Sequence, residues 1–120
     1  MLGAGQFAHA ALFAAALDPR ITASAIRLSA TSVREDAERD EIAAVPQILA
    51  YTDLPIVTAL LTPRACRLEY PIRIGPKFRE AYDWPARFYK DGFGSAELNL
   101  VSADESDWNA VAKWFAQALR

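Results

Sequence analysis

Gly3-Ala4-Gly5-Gln6-Phe7-Ala8 leads straight into His9-Ala10-Ala11-Leu12-Phe13-Ala14-Ala15-Ala16-Leu17, and the run stops at Asp18-Pro19-Arg20-Ile21. Residues 6–17 contain no Pro, Gly or β-branched side chain. Alanine costs least in a helix, so the span predicts one. It is apolar nearly all round, and such a helix has to be covered on most sides, as in the middle of an α/β sandwich. Asp18-Pro19-Arg20 ends it because proline cannot continue the hydrogen-bond ladder. Residues 21–28 then read as a strand with β-branched side chains at its start.

Working outward, residues 33–41 are mostly charged, with Glu35 and Arg39 at i,i+4, and read as a solvated helix or excursion. Residues 46–51 form an irregular connection. Asp53 can cap a short helix over 54–61, with Pro55 in its first turn and Pro63 beyond its end. A second strand over 65–70 is broken by Pro71, and Gly75-Pro76 is expected to mark a turn. Phe78, Ala81, Tyr82, Pro85, Phe88 and Tyr89 recur at near-helical spacing over 77–90, where Pro85 is expected to kink the segment or split it. Asp91-Gly92-Phe93-Gly94 is a stop, and 96–101 alternate as a third, half-buried strand. From Asp107 a closing helix gathers Trp108, Val111, Ala112, Phe115 and Leu119 on one face, with Ser106 as its expected cap. Helices alternating with strands predict an α/β three-layer sandwich around a parallel sheet with right-handed crossovers. No repeat or low-complexity linker divides residues 1–120, so the chain reads as one domain.

Composition agrees with a packed interior. Apolar residues are 52% of the 120, with three Trp, six Phe and four Tyr, too many for a disordered segment. A chain this long buries roughly two-thirds of what it exposes unfolded. The net charge is −2, and thirteen Lys and Arg are scattered among fifteen acids. No basic stripe tracks a phosphate backbone, which argues against nucleic acid as a partner. The single Cys66 has no partner for an internal disulfide and sits in an apolar run, as a buried structural thiol does. No stretch is long and apolar enough to span a bilayer, and residues 2–17 lack a basic leader. The chain is expected to be soluble; nothing in it gives an address.

The opening residues, with the helix and the Asp18-Pro19-Arg20-Ile21 that follow, resemble the nucleophile elbow G-x-S-x-G of the α/β-hydrolase superfamily and the helix behind it. The order and spacing are most similar to the acetyl xylan esterase, dienelactone hydrolase and prolyl-oligopeptidase branch. Asp53-Leu54-Pro55, followed by Ala59-Leu60-Leu61-Thr62-Pro63-Arg64, resembles that branch's approach to the strand bearing the catalytic acid. The resemblance spans almost the whole chain and implies a partial α/β-hydrolase fold, its C-terminal half. Of the strand entering the elbow only Met1 and Leu2 are expected here. The resemblance therefore implies either a truncated gene product or a missing N-terminal half supplied by another chain.

By the same resemblance Gly3, Gly5 and Phe7 occupy elbow positions, with Gly5 in the place of the nucleophile. Glycine keeps the positive-φ turn and offers no oxygen. The family's acid would follow the strand containing Leu68, where Tyr70-Pro71-Ile72-Arg73-Ile74-Gly75 offers no carboxylate. The family's histidine loop corresponds to Ser102-Ala103-Asp104-Glu105-Ser106-Asp107, which has no imidazole. Asp104 or Glu105 can be read as a substitute base; the plainer reading is that these acids complement the following helix dipole and cap its N–H groups. His9, the only histidine, can be read as reaching an anion at the helix N-terminus, or as a structural side chain. One histidine argues against a zinc site, and Gly3-Ala4-Gly5 lacks the third glycine of a dinucleotide fingerprint. No cofactor or metal is implied.

These readings give an esterase-like pseudoenzyme as the first expectation. A rival is an interaction module, oligomeric or completed by a partner, because half a sheet leaves an unpaired edge. A third is an enzyme working through His9 and the acidic loop.

Overall fold

The computed structural model describes residues 1–35, 52–92 and 98–120. Within them lie four strands, β1 (Leu2–Ala4), β2 (Ala23–Arg27), β3 (Ala65–Tyr70) and β4 (Leu98–Ser102). The helices are α1 (Ala8–Leu17), α2 (Leu54–Ala59), α3 (Gly75–Gly92) and α4 (Trp108–Ala118). The strands form one sheet in the order β1-β2-β3-β4, parallel throughout. Successive right-handed crossovers in a sheet that grows in one direction leave their helices on one face. Accordingly α1 packs on α2 and α2 on α3, whereas α4, which follows the last strand, touches β2 from the other face. The result is an α/β sandwich of three layers.

Strand alternation sorts the side chains between those faces. Cys66, Leu68 and Tyr70 of β3 join Ile26 of β2 and Leu98 of β4 in the core with Leu12, Leu54, Phe78 and Tyr82. Tyr70, Phe78 and Tyr82 stack in series, their ring centroids 4.6 and 4.2 Å apart. Arg67 and Glu69 point to the opposite face, toward Ser106 before α4.

Several local expectations change. The entering strand is longer than Met1 and Leu2: β1 pairs with β2 from Leu2↔Ala25 to Ala4↔Arg27. The first helix begins at Ala8 after a 3₁₀ turn, Gly5–Phe7. Gly75-Pro76 is no turn; Gly75 starts α3, where a first-turn proline loses no hydrogen bond. Pro85 does not split the segment, and α3 runs unbroken to Gly92. An interior proline costs about 3 kcal/mol, but Pro85 is fully buried beside Phe78, Tyr82 and Tyr89, and that buried face holds the helix together. The cap of α4 is Asp107, whose carboxylate accepts from the Ala110 N–H at 2.7 Å; Ser106 is engaged by the sheet. Of the expected apolar face of α4, only Val111 is buried, while Trp108 and Leu119 are 59% and 62% exposed. A helix lying over a sheet buries only the stripe that faces it.

Asp53 caps α2 as expected, accepting from Leu54 N, and it also accepts from Val33 N. Val33 to Glu35 of the charged stretch are helical. The rest of that stretch, including Arg39 of the i,i+4 pair, residues 46–51, Phe93-Gly94 of the expected stop and residues 96–97 lie outside the described residues.

Candidate functional site

The C-terminal edge of a parallel sheet is where loops converge, and ligands of open α/β sheets bind there. At this edge β1 ends in Ala4, whose extended backbone gives way to Gly5 at φ +58°. That left-handed value is open to glycine and strained for other residues. The turn folds the chain back so that α1 lies against β1 and β2. Gly3 makes that approach possible: a Cβ there would stand 2.3 Å from the Ala11 Cβ and 3.3 Å from the Ile26 Cδ1. A Cβ on Gly5 would meet nothing within 4 Å. Residue 5 thus sits at the apex of a strand-to-helix bend and faces open space with no functional group. Phe7, 66% exposed, follows it.

His9 is buried in the first turn of α1. Asp104 and Glu105 lie in a short 3₁₀ turn after β4. Asp104 accepts from the Ile72 N–H at 3.3 Å, tying the exit of β4 to the exit of β3. It therefore caps the turn over Ile72–Ile74, and Asp107 caps α4. Glu105 is exposed. The edge thus assembles a sharp bend, an exposed ring and a carboxylate that accepts from a backbone N–H, without a hydroxyl or thiol at the bend. Among the described residues no set of three or more His, Cys, Asp and Glu side chains is arranged to hold a metal, and no helix is long and apolar enough to cross a membrane.

Cys66 is buried in mid-sheet, and desolvation pushes its thiol up to about 12. A thiol so reluctant to ionise is a poor nucleophile and metal ligand.

A dense polar cluster lies on the α4 face. Glu69 accepts from Arg67 Nε at 3.0 Å, from Arg27 Nε at 2.8 Å and from the Ser106 hydroxyl, and Arg67 also donates to Ser106 Oγ at 2.9 Å. Arg27 extends over the Trp108 ring, 5.5 Å from its centroid. Burial alone would raise the Glu69 pKa, but the hydrogen bonds from Ser106, Arg27 and Arg67 outweigh it and hold the carboxyl below its ordinary value. A carboxylate bound by two guanidinium groups is a weak base, and Ser106 has no imidazole to take its proton. The cluster clamps α4 to the sheet. Charged residues inside two apolar strands were its only trace in the sequence. The register Ala25↔Arg67 and Arg27↔Glu69 is what brings them together.

Comparison with protein-family models, with curated proteins and with solved structures returns no match.

Proposed function

We propose that this chain is a degenerate α/β-hydrolase-like domain, akin to the carbohydrate-esterase and dienelactone-hydrolase branch, that does not hydrolyse esters. The observation that carries the reading is Gly5: a left-handed apex between strand and helix, the shape of a nucleophile elbow, with nothing attached. The surrounding edge supports it. Acyl transfer needs a nucleophile, a base and an orienting acid in mutual reach. Asp104 accepts from a backbone N–H with no imidazole beside it to orient, the Cys66 thiol is buried and protonated, and Ser106 is held between Arg67 and Glu69. The Gly5 turn is retained because the close β1–α1 packing at Gly3 needs the bend, whatever the chemistry.

The test is turnover of short acyl-nitrophenyl esters by the purified chain, with labelling by a serine-directed fluorophosphonate. The expected results are hydrolysis no faster than in buffer and no label. Turnover that the phosphonate abolishes would refute the reading.

A further inference from the structure

The outer side of β1 carries no partner strand among the described residues. Met1 faces β2, donating to Ala23 O and accepting from Ala25 N. Successive residues of a strand direct their N–H and C=O groups to opposite sides, so those of Leu2 and Ala4 point away from the sheet. Edges are normally shielded from association by charged side chains. Here residues 2–17 contain no Asp, Glu, Lys or Arg. The opposite edge, β4, runs into Asp104 and Glu105.

We propose that β1 is a self-association surface, and that its occupant is a second copy of this chain, paired antiparallel about a two-fold axis through Gly3. The proposal does not rest on the proposed function, and a separate N-terminal half of the kind the hydrolase resemblance implies would compete for this same edge. Charge favours this partner: the N-terminal ammonium is turned toward the Ala23 carbonyl of its own chain, and an edge without charged side chains meets its own copy without side-chain repulsion, whereas β4 edges would bring carboxylates together. Symmetry selects the direction, because a two-fold axis normal to the sheet makes identical strands antiparallel and closes the assembly at a dimer. In that register Leu2 stands opposite the copy's Ala4. The outward-facing Ala4 N–H of each chain then meets the outward-facing Leu2 carbonyl of the other. The Gly3 residues face one another at the axis, where non-hydrogen-bonded positions approach most closely.

Packing points the same way. Leu2 and Ala4 line a shallow groove with Ala25, Trp108 and Val111, floored by Arg27 and Glu69. Leu2 is 52% exposed. The axis keeps both α4 helices on one face of the joined sheet, so the apolar row of Leu2 and Ala4 from both copies lies between the two Trp108 rings. A parallel sheet wants both faces covered, and this arrangement covers the strip that α4 leaves bare.

Mass measured by light scattering and sedimentation equilibrium should rise from 13.2 kDa toward twice that value with concentration. Leu2→Glu should hold the chain at the monomer mass and should melt at every concentration as the dilute wild type does, since association raises the melting temperature only where the dimer is populated. Oxidising a mixture of Leu2→Cys chains and Ala4→Cys chains should cross-link them in far higher yield than either variant alone, because directly opposite residues lie within disulfide reach. A monomer at every concentration overturns the proposal. So does a dimer indifferent to Leu2→Glu, or cross-linking no greater in the mixture than in the single variants.

Discussion

Gly3 and Gly5 are two residues apart and are glycine for different reasons. Gly5 is needed for its backbone angle, and an L side chain at φ +58° costs roughly 1–2 kcal/mol. Gly3 is needed for space, because its added carbon would overlap the Ala11 methyl on the helix. Gly5→Ala should lower stability by about that amount with the fold intact, whereas Gly3→Ala should cost about 3 kcal/mol, the upper end for overpacking, or prevent folding. Urea denaturation of both variants orders them, and equal costs would contradict the distinction. Cys66 gives a separate residue-level test. With its thiol raised to about 12 by burial, iodoacetamide at neutral pH should leave the native chain unmodified and alkylate it once urea unfolds it. Fast native labelling would place the thiol elsewhere.

At the scale of elements, α1 is held by a residue far from it in sequence. Arg64, just before β3, donates from its guanidinium to the carbonyls of Ala15, Ala16, Asp18 and Ile21. These close the C-terminal end of the helix, whose last carbonyls otherwise lack partners. Arg64→Ala should cost about 2 kcal/mol, as charge-assisted hydrogen bonds to such groups do. Lysine should restore only part of it, since a point charge cannot fork across several acceptors. Thermal melts of the two variants test this. The joint between α4 and the sheet makes a pH prediction. Glu69 titrates below its unfolded value of 4.5, so the unfolded chain takes up the proton first. The stabilisation is complete above pH 4.5 and drains away as pH falls through the lower, folded value. Glu69→Gln should be less stable at pH 7 and should lose less on acidification. A variant with the same acid profile as the wild type would show that other groups govern the transition.

Across the whole molecule, most of the α/β pattern was legible in the sequence, because each element carries its own signals. The alanine run made α1, Asp53 with Pro55 set the start of α2, Pro71 bounded β3, and the sheet is parallel as the alternation required. The candidate site was legible in one respect: the resemblance of the opening run to a nucleophile elbow led to the expectation of a positive-φ glycine at residue 5, which is where the bend has its apex. Less accessible were the features that depend on register. Nothing local distinguishes Ser106 from Asp107 as a cap until Arg67 and Glu69 of a distant strand claim the hydroxyl. Nothing local tells Pro85 that its neighbours will be buried deeply enough to carry it. Of the apolar positions expected on one face of α4 only Val111 is buried, because the spacing of apolar residues says nothing of how much surface waits to receive them. The sequence by itself determined where the chain extends, coils and turns, since those preferences are set within a few residues of each position. Only the tertiary structure decided which face each helix takes, which charges meet and which apolar surface stays open, because these follow from hydrogen-bond register between strands some forty residues apart in the chain.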